Sequence, residues 1–167
     1  MRTHPVFLSL EGRRCVVIGG DEEAAAKARA CAEAGAQVTV LAPAAAPAIA
    51  ALADAGLVVL EPRPYRRGDL AGAAVAYAST VDAALVAELV ADAERERVLL
   101  NVVDRPEACS FLSPAVVTRG ELRIAVGTGG ASPGLAARLR RSIEAEVGPE
   151  YGPFVAILAG VRRGGTS

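Results

Sequence analysis

The sequence predicts an α/β fold in which crossover helices cover a parallel sheet, followed by an antiparallel excursion and a short helical tail. Three observations carry this expectation. Strand-like and helix-like patterns alternate as far as residue 103. A glycine pair, Gly19 and Gly20, stands where the first strand would give way to the first helix. Beyond residue 103 the pattern changes, and "FLSPAVVTRGELRIAVGTGGASP" reads as two strands joined at Arg119 and Gly120.

Five short apolar runs are the expected strands: 14–18, 37–41, 57–60, 73–78 and 98–102. Helical segments separate most of them. Segment 21–34 is rich in alanine and stops at Gly35, a natural C-terminal cap, and 44–55 stops in the same way at Gly56. Segment 81–95 places Leu85, Val86, Leu89 and Val90 on one stripe, as a helix lying on a sheet requires. Between the third and fourth strands, "EPRPYRRGDL" is rich in proline and charge and is expected as a surface connection. A helix over 133–147 follows the hairpin, with Ser132 as N-cap and Pro133 at the first helical position. "EYGPFVAILAGVRR" closes the pattern as one more helix, whose apolar face calls for a second copy of the chain or marks a shortened helical region.

Composition narrows the function. A chain of 167 residues supports one ordinary domain with a small appendage and buries enough core to need no covalent staples. Cys15, Cys31 and Cys109 are odd in number and lack CxxC spacing, as expected of reduced, mostly apolar thiols in the cytoplasm. The opening apolar stretch "PVFLSL" is too brief for a signal peptide or a membrane span, so no membrane partner is expected. A formal net charge of -1 argues against a nucleic-acid surface, which needs clustered positive charge. Lys27 is the single lysine, and the arginines supply forked donors suited to carboxylates.

The segment "CVVIGGDEEAAAKA" compares with the dinucleotide-binding pattern G-x-G-x-x-G/A. There the first glycine makes the tight turn, the second admits the pyrophosphate, and the third position stays small for packing. Gly19 fills the first place and Ala24 the third, but Asp21 holds the second, with Glu22 and Glu23 behind it. Asp21 alternatively reads as a plain N-cap, with the two glutamates complementing the helix dipole. Direction decides between the two, because unit charges 4 Å apart repel by about 4 kcal/mol at an effective dielectric near 20. Past the second strand, "TVLAPAAAP" has neither acid nor arginine for a ribose or its phosphate. Pro43 and Ala44 therefore offer only shape and backbone, which does not choose between NAD and NADP. Thr80, just past the fourth strand, completes the candidate cofactor set.

A second stretch is more specific: "NVVDRPEACSFLSPAVVTRGELRIAVGTGGASPGLAARLR". Asn101 and Asp104 fall at the carboxyl end of the fifth strand, the edge at which open α/β sheets bind ligands, and Pro106 stiffens the turn. An aspartate before Arg-Pro is also an ordinary turn former. No cluster of ligand types at coordinating spacing is present, so no metal site is expected.

With these motifs the chain resembles the siroheme synthase N-terminal family, the precorrin-2 dehydrogenases, some of which also insert iron as sirohydrochlorin ferrochelatases. The shared features are "PVFLSLEGRRCVVIGG", "NVVD.P", "F..PA" and "GG.SP" leading into a helix, in the family's order from Pro5 to about Arg163. The resemblance implies a Rossmann domain over 1–112, a hairpin-containing dimerisation region over 113–147, and the start of a helical region over 148–167. It implies a homodimer that uses NAD to remove two hydrogens from precorrin-2, giving sirohydrochlorin, with Asp104 as the general acid/base. Burial that raises the pKa of this carboxylate toward neutrality would suit it to that work. The resemblance places Thr128 near the tetrapyrrole, where its hydroxyl could bond a substrate carboxylate, with Gly129 and Gly130 allowing close backbone approach. Because the substrate carries acidic side chains, Arg119, Arg138 and Arg141 are its candidate donors. The family's three-glycine turn is here two glycines and Asp21. The other class of function these residues allow is a tetrapyrrole-holding module with a degenerate NAD site and no redox chemistry.

Overall fold

The computed structural model describes residues 3–164. His4–Phe111 forms one compact unit and the chain from Leu112 onward builds the other. In the first unit, β1 (Arg14–Ile18), β2 (Gln37–Leu41), β3 (Val58–Glu61), β4 (Val75–Ala78) and β5 (Leu99–Val102) make one sheet in the order β3-β2-β1-β4-β5. Every neighbouring pair is parallel. The helices are α1 (Glu22–Glu33), α2 (Pro47–Asp54) and α3 (Ala83–Glu96).

Successive side chains of a strand point to opposite faces, and β1 uses this to serve two cores. Val16 and Ile18 pack with Val86 and Leu89 of α3 and with Leu100 and Val102, while Cys15 and Val17 pack with Ala24, Ala28 and Cys31 of α1 and with Ile49 and Leu52 of α2. The sheet is thus covered on both faces, as the apolar runs require.

Bounds differ from the expectation where local closure takes over. The fourth strand starts only at Val75, because Ala73 N–H bonds back to Leu70 O at 3.0 Å in a turn through left-handed Gly72. The fifth starts at Leu99, because Val98 N–H bonds to Ala93 O at 2.9 Å as part of the α3 cap, with Arg97 left-handed at φ 56. The second helix starts at Pro47, because the Ala46 N–H reaches over to the Gly20 carbonyl at 2.7 Å and keeps residues 43–46 out of helical geometry.

The segment expected as a surface connection is instead pinned to the domain, with Tyr65 and Leu70 buried. Asp92 of α3, only 2% exposed, accepts from the Tyr65 hydroxyl at 2.5 Å, Gly68 N–H at 3.1 Å and Arg95 Nη1 at 2.7 Å. Burial alone would raise its pKa, but these donors, Arg95 first, outweigh it and hold the carboxyl at about 2. Within the same loop, Arg63 grips Asp69 with two hydrogen bonds of 2.7 and 3.0 Å.

In the second unit, β6 (Ala115–Arg119) and β7 (Leu122–Val126) pair antiparallel around the two-residue loop Gly120-Glu121. Gly120 has φ 57, the glycine-first pattern of a tight hairpin turn. Helices α4 (Pro133–Glu146) and α5 (Tyr151–Gly164) complete the unit. Gly152 of α5 lies against the hairpin turn, where a Cβ would come within 3.3 Å of the Arg119 carbonyl carbon.

Candidate functional site

In an open sheet the carboxyl ends of the strands splay apart where the winding direction reverses, leaving a crevice for ligands. Here the reversal lies between β1 and β4. The chain leaves β1 through Gly19, Gly20 and Asp21, leaves β2 toward Pro43 and Ala44, leaves β4 through Ser79 and Thr80, and leaves β5 toward Asp104. All the expected cofactor residues and the expected catalytic aspartate therefore share one sheet edge within a single unit.

The two glycines are required for different reasons. Gly19 adopts φ 130, and a Cβ there would meet the Ser79 carbonyl oxygen at 2.6 Å. A Cβ on Gly20 would fall 1.8 Å from the Ala44 carbonyl oxygen, so the turn is clamped beneath the β2 exit. Asp21 is the N-cap of α1: its Oδ1 accepts from Ala24 N–H at 2.8 Å and its Oδ2 accepts from the Ser79 hydroxyl at 2.6 Å. Desolvation pushes its pKa up, but the Ser79 hydroxyl and the helix-terminal amides prevail and hold it below the usual carboxylate range. Of the two acids behind it, Glu22 is exposed, and Glu23 pairs with Lys27 at 3.0 Å. The Lys27 ammonium also stands 6.0 Å above the Tyr77 ring, and Tyr77 meets Phe111 edge to face. Thr80 Oγ1 accepts from Asp82 N–H at 3.2 Å, just before α3.

Asp104 sits in the turn after β5 at φ 57, a left-handed conformation that aspartate tolerates better than most residues. It is exposed and has no hydrogen-bond or ion-pair partner among the described residues. The burial expected for it is not supplied by its own unit, because the left-handed turn carries it off the end of the strand. Its neighbours fix the turn instead. Cys109 Sγ donates to the carbonyls of Val102 and Arg105 at 3.3 and 3.2 Å and accepts from Val102 N–H at 3.2 Å. Burial raises the pKa of this thiol, which suits a neutral donor. Arg105 Nη2 reaches the Val81 carbonyl at 3.4 Å, joining the β5 exit to the β4 exit.

Asn101, the other residue that the sequence puts at this ligand-binding edge and a candidate substrate contact, uses its amide within its own unit. It is 7% exposed, and its Nδ2 donates to the Phe111 carbonyl at 2.9 Å, bracing the segment that carries Cys109. Arg119 is likewise engaged within its own unit. Its Nε and Nη2 donate to the carbonyls of Val147 and Glu144, each at 3.0 Å, and so cap the carboxyl end of α4. The Thr128 hydroxyl closes a turn on Ser132, with Gly129 and Gly130 left-handed at φ 62 and 84. Arg138 and Arg141 are exposed on α4. The sequence reading missed Ser79 and the positioning role of Cys109. Nothing local in the sequence signals Ser79, because only the adjacency of β1 and β4 in the folded sheet places their exit residues side by side.

A cavity of about 630 Å³ lies at the opposite sheet edge, lined by Arg13, Arg14, Gln37, Val75, Arg97 and Leu99 among others, away from this site. No group of three or more His, Cys, Asp or Glu side chains suited to a metal ion occurs among the described residues, and none of the described helices is long and apolar enough to cross a membrane.

A five-stranded parallel sheet in this order, with a glycine turn entering a helix at the switch point, defines a dinucleotide-binding unit. The chain belongs to the family described as "Putative NAD(P)-binding", whose model matches residues 6–115. A second model, "Sirohaem biosynthesis protein central", matches residues 119–146. Among curated relatives, the siroheme synthase of Azotobacter vinelandii is 43% identical over 159 residues, 95% of this chain and 33% of the relative. That of Chromobacterium violaceum is 41% identical over 152 residues, 91% and 32%. That of Methylococcus capsulatus is 39% identical over 158 residues, 95% and 33%. The chain thus spans about a third of the length of the curated relatives it matches. The solved structure of "SirC, precorrin-2 dehydrogenase" superposes with a TM-score of 0.75 at 24% identity, covering 96% of this chain and 79% of that one, and shares the fold. The glycine turn fits an NAD(P) diphosphate in its backbone, and one side chain, Asp21, opposes it in charge.

Proposed function

We propose that this chain is the NAD-dependent precorrin-2 dehydrogenase unit of siroheme biosynthesis, converting precorrin-2 to sirohydrochlorin. The observation that carries the reading is the shared edge: a carboxylate without a partner among the described residues, Asp104, held in a left-handed turn on the same sheet edge as the glycine turn of a dinucleotide fold. Bound NAD supplies the hydride acceptor. Asp104 takes the proton released from the substrate carbon, so that two hydrogens leave in total, one as hydride and one as a proton. Gly19, Gly20 and the amino end of α1 hold the diphosphate. Pro43, Ala44 and Thr80, with Asp21, Glu22 and Glu23, complete the proposed cofactor set. Thr128, Gly129, Gly130 and Arg138 are the proposed substrate contacts, Arg138 as a donor to the acidic side chains of the tetrapyrrole.

A homodimer working in the cytoplasm belongs to this proposal. Its support is the exposed apolar set Leu135, Leu139, Phe154, Ile157, Leu158 and Val161 on α4 and α5. The decisive experiment supplies precorrin-2 and NAD and follows sirohydrochlorin absorbance; no conversion beside an active dehydrogenase overturns the proposal. One observation favours a second reading, a tetrapyrrole-holding module without redox chemistry: the Asp21 carboxylate at the diphosphate position. Calorimetry that finds tetrapyrrole binding without NAD binding selects it.

A further inference from the structure

We propose that Asp21 is a built-in competitor for the cofactor diphosphate, latched across the β1–β4 crevice by Ser79, and that it sets a weak affinity for NAD. The inference rests on the NAD-binding reading above and deepens it by naming the residue that tunes the site.

Four observations support it. The carboxylate, though exposed, is held at the helix terminus by both oxygens: one covers the Ala24 N–H at the amino end of α1, and the other takes the Ser79 hydroxyl from the neighbouring strand's exit. These helix-terminal amides are the donors an anionic ligand would use. Retreat of the backbone is blocked, since Gly19 faces the Ser79 carbonyl, Gly20 lies under the Ala44 carbonyl, and Ala46 N–H is bonded to Gly20 O at 2.7 Å. The only lysine, Lys27, is already paired with Glu23, which leaves it poorly placed to neutralise Asp21. Finally, the Ser79 and amide hydrogen bonds favour the ionised form of Asp21, so the competitor keeps its charge at neutral pH. A diphosphate entering this turn must break the Ser79 bond and swing the carboxylate aside. A nucleoside without phosphate meets no such obstacle.

Calorimetric titration of adenosine, ADP and NAD into the wild-type chain, Asp21→Asn and Asp21→Gly separates charge from structure. Asparagine keeps the N-cap and removes the charge; glycine removes both at small cost to the helix. The expected result is that ADP and NAD bind about tenfold tighter or more to both variants, while adenosine changes by less than about twofold. Unchanged or weaker ADP and NAD binding in both variants overturns the proposal, as does an equal gain for adenosine. Cooperatively melting variants that bind neither ADP nor NAD also overturn it. Tighter NAD binding without precorrin-2 oxidation upholds the latch and removes the dehydrogenase reading; oxidation without any gain in affinity does the reverse.

Discussion

The Ser79 hydroxyl donates to the Asp21 carboxylate at 2.6 Å, across 58 residues of sequence and between the exits of two neighbouring parallel strands. This bond joins the β4 exit to the first turn of α1. Removing it by Ser79→Ala is expected to raise the Asp21 pKa toward the ordinary aspartate value and to cost about 0.5 kcal/mol of stability, the low end for a hydrogen bond at an exposed position. Because the folded pKa is depressed, the stability this carboxylate adds is present above the unfolded pKa and disappears as pH falls through the folded one. An NMR titration of the carboxyl carbon in the two proteins checks the direction.

Asp104 gives a prediction in which activity and stability part company. Asp104→Asn should lower turnover by about 10²–10⁴-fold, the usual worth of a positioned acid/base, with NAD affinity unchanged. Asp104→Gly should be equally inactive yet no less stable, by up to about 1 kcal/mol in its favour, because glycine adopts the left-handed turn without strain. Steady-state kinetics beside urea denaturation measures both. An active Asp104→Asn protein removes the catalytic assignment.

Asp92 is a structural carboxylate, and its loss should be felt across the whole first unit. Asp92→Ala leaves the Tyr65 hydroxyl and Gly68 N–H without their acceptor and should destabilise by about 2–4 kcal/mol. Since its pKa is about 2 in the folded chain, below the unfolded value of about 3.9, its contribution is full above that value and is lost as pH falls toward 2. Denaturation midpoints between pH 5 and 2 should therefore fall less steeply in Asp92→Asn than in the wild type.

Gly20→Ala tests the clamp on the cofactor turn. With an added Cβ 1.8 Å from the Ala44 carbonyl oxygen, either the β2 exit or the turn itself must move, at a cost of about 2–4 kcal/mol. Urea unfolding reads this directly, and a change below about 0.5 kcal/mol, within the range of ordinary surface substitutions, would mean that the two segments are free to part.

Arg119 and Arg138 should behave oppositely. Arg119→Ala removes a cap from α4 and is expected to lose about 1–2 kcal/mol of stability. Arg138→Ala should leave the melting temperature in place and raise KM for the tetrapyrrole. Unchanged KM in Arg138→Ala withdraws that residue from the substrate set.

The parts of this fold legible from sequence were those set by local pattern. β1 and β2 were read to the residue, β1 because its apolar run lies between Arg14 and Gly19, and β2 because its run opens at Gln37 and stops short of Pro43. The starts of β4 and β5 were misread because Ala73 and Val98 suit a strand by type, while a turn and a helix cap claim their N–H groups. Asp104 could be singled out through its motif. The direction of Asp21 could not, since Ser79 is remote in the chain and only strand adjacency brings it near. Asn101 and Arg119 show the general difficulty: their donors suit a ligand and a neighbouring carbonyl equally well, and only the packed chain reveals which acceptor is within reach.

Lys27 is the chain's single lysine and lies within the first two turns of α1, bridged to Glu23 and resting over Tyr77. An amine-directed fluorophore or isotope tag therefore has one side-chain target in this chain, on α1, once the more acidic terminal α-amine has been blocked at neutral pH. The protein carries its own attachment point for watching the nucleotide crevice fill and empty in real time.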